Sequence, residues 1–573
     1  MSTPVASTPV ASALTSEDDP ETKVLSPSRA DRSRRRALDR IERLVAVLAL
    51  IAVFAGLYAS YPRPLHKDPL FTSPRQSVGY ELARQWAHTG KPVETLPLFK
   101  QVPGDIAPAF TPRDAASRGD KVVPKDFPLV VMMFAGAHKI SSTLVLFVVP
   151  LMGVLALLIF ALLAWELTRS RTAVWIAAIL FVSTTSFWSS SSWIYAPDTS
   201  AACVVLVAIY AFVRASRSRS LGWDILGGLA CAAAFGFRYD NAVIVGVLWL
   251  AFLWADLASW RRHLIVPIVA GIASIPFLVF NTWLYGSPRK TGYGLAYKLI
   301  DQTANIKGRG LLGVSMSIFQ HQTHIYLLRP EVLALLVAGA IGIVLVMRNH
   351  RERSVRALGW GTIAISVIVI AYAGTRNLTG ADKFTVSSSF LRYMLPSFAL
   401  LAIFAGAAVA NRSRAVRVAA FVLACAIASV SMFTNVFATN GVKQTRHDVK
   451  AGNSVARAVI NATPKDAIVI TQLASKVLWP ERQTLSTAFL VKNHRPVTVK
   501  DETKVWSLTP SVPRLADVIT RLARERHHVY LLDDQSWLKS VELGDLTTRL
   551  AAADIKVTTI LFGRVILFRF DPL

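Results

Sequence analysis

The side chains best suited to chemistry in this sequence stand at the edges of apolar runs rather than inside them. Arg238 and Asp240 occupy a short polar break between two such runs. Asp198 follows Pro197 at the head of another, Arg392 and Tyr393 precede a third, and Arg289, Lys290 and Tyr293 follow a fourth. Asp68 and Glu81 lie in the long polar stretch after the first run. A carboxylate at such a place can take a proton from a hydroxyl, and a guanidinium or ammonium can hold an anion. Each also has a plainer reading. Asp68, in Lys67-Asp68-Pro69, suits a turn, Glu81 a solvated helix face paired with Arg84 or Gln85, and Asp198 a helix N-cap. Arg289, Lys290 and Arg392 suit snorkelling toward lipid headgroups, and Trp193, Tyr195 and Tyr293 an interfacial aromatic belt. Arg238 and Asp240 suit a pair across a surface turn, although ionisable groups at membrane depth are costly and often functional. His321 and His324 share a helix face at i, i+3, yet lack the third ligand a zinc site needs.

The elements that must position these groups follow from composition. Of 573 residues, 53% are hydrophobic and 17% charged, with mean hydropathy +0.42. That is too apolar for an ordinary soluble domain. The net charge of +27 would suggest nucleic acid in a soluble protein, but here many arginines sit in short gaps between apolar runs, where orientation in a bilayer accounts for them. Cys203, Cys231 and Cys425 fall inside apolar runs, which excludes a disulfide scaffold and a cysteine zinc site.

Eleven apolar runs are legible: 44–60, 144–165, 173–187, 199–213, 225–237, 242–255, 264–284, 332–347, 358–375, 394–410 and 418–434. Counting 225–237 and 242–255 as two crossings places Arg169/Arg171, Arg214/Arg217/Arg219, Arg261/Arg262, Arg348/Arg351/Arg353/Arg356 and Arg412/Arg414/Arg417 on one side, with the N-terminus. A single broken helix would split them between both sides, against the positive-inside bias. The expected fold is therefore an α-helical polytopic membrane protein of about eleven transmembrane helices, with a cytoplasmic N-terminus and a small extracytoplasmic α/β domain at the C-terminus.

Three parts follow. Residues 1–43, rich in Pro, Ser and mixed charge, read as a disordered cytoplasmic tail. Residues 44–434 form the membrane domain, with a long first extracytoplasmic loop at 61–127. Residues 435–573 return to soluble composition, with strands expected at 467–471, 528–533, 556–562 and 564–570 and helices near 513–525 and 545–553. The plain reading of this last part is a docking or acceptor-shaping domain. In the first loop, Val78, Leu82 and Trp86 repeat at i, i+4, i+8, predicting an amphipathic helix ended by Gly90-Lys91-Pro92 and lying with that face in lipid.

Several short pieces then resemble one family. They are Val78-Gly79-Tyr80-Glu81-Leu82-Ala83-Arg84 with Gly90, Val123-Pro124-Lys125-Asp126-Phe127-Pro128, Ala196-Pro197-Asp198, Phe237-Arg238-Tyr239-Asp240-Asn241, Asn281 with Tyr285-Gly286-Ser287-Pro288 and Thr291-Gly292-Tyr293, and Arg392-Tyr393-Met394-Leu395-Pro396. Their order and common place at one membrane face resemble the GT-C class of polytopic glycosyltransferases, the group that includes the protein O-mannosyl, aminoarabinose and mycobacterial arabinose transferases.

The resemblance implies a cell-membrane enzyme that moves a sugar from a polyprenyl-phosphate donor to an extracytoplasmic glycan, lipid or protein acceptor, inverting the anomeric carbon. It implies a carboxylate base, for which Asp68, Glu81 and Asp198 are the candidates and Asp126 a further one. It implies donor-phosphate contacts from Arg238, Arg289, Lys290 and Arg392, and substrate contacts from Asp240, Tyr293 and Tyr393. Membrane lipids are the other expected partners; nucleic acid is not. A divalent cation is compatible with phosphate and carboxylates meeting at one site, but no ligand set is spelled out and no cofactor is assigned. The pattern is broken at one place. Relatives carry Asp, or Asp-Glu, just before Val-Gly-Tyr, where this sequence has Gln76 and Ser77. A catalytically altered relative that binds glycan or lipid is therefore the alternative. A transporter is the third reading, disfavoured because the polar residues gather at one face rather than at mid-depth.

Overall fold

The computed structural model describes residues 29–63, 71–96, 110–112, 114–293, 316–349, 352–374, 384–471, 474–486, 512–533, 540–562 and 565–573, together with Leu98 and Leu295. The chain divides into two compact units, Met1–Ala52 and Val53–Leu573. In the first, the described residues belong to the helix Arg29–Ala59. The basic cluster is thus helical and not part of a disordered tail. Once the apolar run has nucleated a helix, extension through Arg, Ala, Leu and Glu is favourable at each step.

The second unit carries the membrane bundle. Among the described residues of the whole chain, 7 helices are long and apolar enough to cross a membrane, and the pair Arg171–Ser183 and Thr185–Ser192, bent by 63°, makes an eighth. The shorter apolar helices Leu221–Phe237, Asn241–Ala255 and Leu395–Ala407 account for the remaining runs, so every apolar run of the sequence is helical. The polar break 238–241 separates two helices, as the arginine bias required. At the end of the bundle where the short arginine-bearing links lie, buried Glu166 binds Arg169 at 2.9 Å, Arg214 at 3.2 Å and Arg217 at 2.9 Å. Arg217 also donates to Glu352, Arg262 to Asp224 at 2.7 Å and Arg353 to Asp256 at 2.8 Å. These pairs tie separate links to one end of the bundle.

At the other end lie the first loop and the C-terminal α/β part. The first-loop helix Pro74–Thr89 starts at Ser73, whose side chain accepts from the Gln76 backbone, and stops at Gly90 in the left-handed conformation. Strands β1 (Glu94–Thr95), β2 (Ala116–Arg118) and β3 (Lys121–Val123) then form a small antiparallel sheet in the order β1-β3-β2. The C-terminal sheet contains β4 (Ile468–Thr471), β5 (Gln483–Ser486), β6 (Val529–Leu532), β7 (Ile555–Phe562) and β8 (Val565–Pro572), in the order β5-β4-β6-β8-β7. Here β4 runs parallel to β5 and β6, while β8 is antiparallel to β6 and β7. All four expected strands are present; β5 is the one the sequence reading missed, its four residues being too few for a readable alternation.

Alternation along β4 and β6 builds two cores. Val469, Tyr530 and Leu532 pack with Ala456 and Val459 of the helix Val442–Ala462. Ile468, Ile470, Val529 and Leu531 pack with Leu515, Ile519 and Leu522 of the helix Val512–Arg524 and with Val78 and Leu82 of the first loop. The Val/Leu/Trp face of the first-loop helix therefore lies in protein, not in lipid. Val78 and Leu82 are within a common core with the C-terminal sheet, and the Trp86 ring lies tilted against Phe280 and Trp283 at 5.5 and 6.4 Å between ring centres. Periodicity marks an apolar face but cannot say what covers it, and a sheet some four hundred residues downstream does so here.

Candidate active site

Three chain segments with no common element meet at this end of the bundle. The turn between Leu221–Phe237 and Asn241–Ala255 supplies Arg238 and Asp240. The helix Asp198–Ser218 begins at Asp198, and the short helix Ser389–Tyr393, capped by the Ser388 side chain, supplies Arg392. Arg238 grips Asp240 with two hydrogen bonds, Nε to Oδ1 at 3.1 Å and Nη2 to Oδ2 at 2.7 Å, while its Nη1 donates to Asp198. Arg392 Nη1 lies 3.5 Å from the other Asp198 oxygen. The Asp198 side chain is only 1% exposed, so capping does not describe its role: it is a buried anion held between two guanidiniums.

The first loop adds a second pair. Arg75, one residue before Gln76, donates from Nε to Asp126 Oδ1 at 2.7 Å, with Nη2 at 2.6 Å from the same oxygen. Asp126 stands just before the helix Pro128–Ile140, whose N-terminal end favours a negative charge. The Tyr285 hydroxyl fixes its main chain by donating to the carbonyls of Pro124 at 2.9 Å and Asp126 at 3.3 Å. Lys125 pairs with Asp114 at 2.8 Å.

Aromatic rings line the same place. Tyr293 lies 5.6 Å from Arg75 and 5.0 Å from Lys125 and stacks on Phe127 at 5.3 Å. Tyr393 lies 4.5 Å from Arg238, and Trp193 lies 5.1 Å from Arg392. Each cation thus keeps a partner in a poorly solvated site. Burial alone would lower the Arg75 and Arg238 guanidiniums, but the facing carboxylates outweigh it and hold both well above the ordinary arginine value. For Arg392 burial wins and its value is lowered, Asp198 opposing. Among the described residues its buried Nε finds no hydrogen-bond partner, so it stands to gain from an incoming anion.

The predicted residues fall out as follows. Asp198, Arg238, Asp240, Arg392, Tyr293 and Tyr393 converge. Glu81 pairs with Arg84 at 2.6 Å on the first-loop helix, outside these contacts. Arg289 and Lys290 are solvent-exposed. Asp68 lies outside the described residues. Gln76 is 1% exposed, and its Oε1 accepts from Tyr61 at 3.1 Å and from the Thr72 hydroxyl at 3.2 Å, so this amide braces the root of the loop. Arg75 and Lys125 were missed as site residues, although both stand beside singled-out positions. Asp126 was named only as a further candidate. Among the described residues, no three His, Cys, Asp or Glu side chains gather to hold a metal.

No family model matches the sequence, and no curated protein matches it. The fold has solved counterparts. ArnT from Cupriavidus metallidurans bound to undecaprenyl phosphate aligns over 92% of this chain and 97% of its own, with TM-score 0.57 at 14% identity. Its apo state aligns over 93% and 98%, with TM-score 0.56 at 14% identity. This is the GT-C fold. An oligosaccharyltransferase from Archaeoglobus fulgidus aligns over 89% of this chain and 73% of its own, at 14% identity and TM-score 0.48. In the GT-C fold of this chain, two glycines explain how loop and bundle come so close. A Cβ on Gly79 would meet the Tyr195 ring at 2.4 Å. One on Gly292 would lie 2.3 Å from the Pro124 carbonyl oxygen and 2.6 Å from Lys125 Cα, both main-chain atoms that cannot swing aside. Gly292→Ala is expected to push the segment carrying Asp126 by a fraction of an ångström or more and to lower kcat/KM by roughly 10–100-fold. Tm should fall as well, because the clash is with main-chain atoms; steady-state kinetics beside a melting curve check this.

Proposed function

We propose that this chain is an integral membrane glycosyltransferase that moves a sugar from a polyprenyl-phosphate donor to an acceptor hydroxyl outside the cytoplasm, inverting the anomeric carbon. The observation that carries the reading is the meeting of Asp126, Asp198 and Asp240 with Arg75, Arg238 and Arg392 at one end of a GT-C bundle. In this reading Asp126 is the general base. Arg75 binds its Oδ1, and Oδ2 takes the acceptor proton as the hydroxyl oxygen attacks the anomeric carbon. The bond from that carbon to the phosphate oxygen breaks, and polyprenyl phosphate leaves with one more negative charge. Arg238 and Arg392 stabilise that charge. Asp198 touches neither partner in this scheme; it positions the two arginines. Asp240 and the Tyr293 and Tyr393 rings border the space for the sugar. The acceptor is a glycan, lipid or protein of the envelope, and the C-terminal sheet, sharing a core with the first loop, shapes its approach.

The test is incubation of the purified full chain with labelled polyprenyl-phosphate sugars and envelope acceptors. Donor-dependent transfer of label, with inverted configuration in the product, is expected. Donor bound without transfer, and unaffected by Asp126→Asn, would instead identify a glycan- or lipid-binding relative, the reading that the neutral brace at Gln76 favours.

A further inference from the structure

A buried arginine outside this cluster has no part in the mechanism so far. Arg63 follows the first span and is 8% exposed. It donates to the carbonyls of Leu57 at 3.2 Å and Tyr58 at 2.5 Å, the last turn of the helix Arg29–Ala59. It also donates to the carbonyls of Ser192 and, at 3.0 Å, Trp193, where the serine-rich helix Thr185–Ser192 ends. Its guanidinium lies 5.1 and 5.5 Å from the rings of Tyr58 and Tyr61. Among the described residues no carboxylate pairs with it. Burial pushes it down to about 10, with Tyr61 and Tyr58 opposing, so it stays charged at neutral pH.

A buried cation held by four main-chain carbonyls is an expensive way to join two helix ends, and one of those ends carries a ring of the candidate site. The indole of Trp193 lies against Arg392, whose Nη2 is otherwise steadied by the Ser389 hydroxyl at 2.8 Å and whose Nη1 faces Asp198. We infer that Arg63 is a positioning residue for donor binding: it fixes the main chain at Trp193, and the Trp193 ring in turn fixes Arg392 for the lipid phosphate. This rests on the reading of Arg392 as a phosphate contact given above. A planar five-donor group is required, because the ammonium of lysine cannot reach both pairs of carbonyls in fork geometry.

The experiment is a double-mutant cycle read by the affinity of the full-length protein for undecaprenyl phosphate without a sugar, with Tm recorded for every variant. Arg392→Ala should weaken binding; if it does not, the phosphate reading of Arg392 fails and the inference with it. Given that weakening, Arg63→Lys should lower affinity about tenfold in the natural background and leave it unchanged when Arg392 is already alanine. Loss of equal size in both backgrounds, or no loss in the natural one, overturns the inference while leaving the phosphate reading intact. Should Arg63→Lys fail to fold, Trp193→Leu keeps the carbonyl tether, removes the ring and must show the same dependence on Arg392; independence from Arg392 overturns the inference equally.

Discussion

Asp126→Asn is expected to lower kcat by roughly 10²–10⁴-fold, the usual worth of a positioned general base, while leaving donor affinity within a factor of a few. The amide keeps the shape of the carboxylate, and its oxygen can still accept from Arg75, so the first loop should stay docked. What it cannot do is take the acceptor proton. Equilibrium binding of polyprenyl phosphate and single-turnover kinetics on the same preparation separate the two effects. A variant with full kcat would remove Asp126 from the chemistry. One that lost affinity and kcat together would show Asp126 to be a brace for Arg75 instead.

Asp198→Ala should have the opposite signature. Asp198 is the shared counter-ion of Arg238 and Arg392 and is nearly inaccessible to solvent. Removing one member of a buried ionic cluster costs about 3–5 kcal/mol because it strands the other charges. Two routes of relaxation are open to the stranded arginines, and both harm the site: Arg238 can turn wholly toward Asp240, which it already grips with two hydrogen bonds, or Arg392 can move toward solvent. Donor affinity and stability should therefore fall together, with kcat/KM reduced by on the order of 10³-fold. Asp198→Glu, which restores the charge at the wrong distance, should recover stability better than activity. Melting curves and lipid-phosphate binding on both variants check this. Unchanged donor affinity in Asp198→Ala would show that the arginines hold their places without it.

Much of the architecture was readable before any coordinates. Apolar run length gave the spans, and the arginine links settled that 225–237 and 242–255 are two helices rather than one, because charge bias is a constraint on the whole chain and not on one window. The α/β character of the C-terminal part was likewise legible from alternation. Charge at membrane depth singled out Arg238 and Asp240, and the fold joins them to each other and Arg238 to Asp198.

Tertiary structure alone decided the rest, and the reason is the same in each case: pairing across long separations leaves no local signal. Asp198 looks like a cap until Arg238 and Arg392 close on it from distant segments. Arg75 sits in an unremarkable helix start until Asp126 faces it. Glu81 and Arg289 match the required chemistry by type, yet one is paired along its own helix and the other faces solvent. The first-loop helix has an amphipathic pattern that lipid would satisfy as well as protein, since burial of apolar area is non-directional; only the fold shows that the C-terminal sheet covers it. Residue types and spacing thus determined which side chains live at the membrane rim, while the close approach of backbones at Gly79 and Gly292, and the desolvation it brings, determined which of them meet.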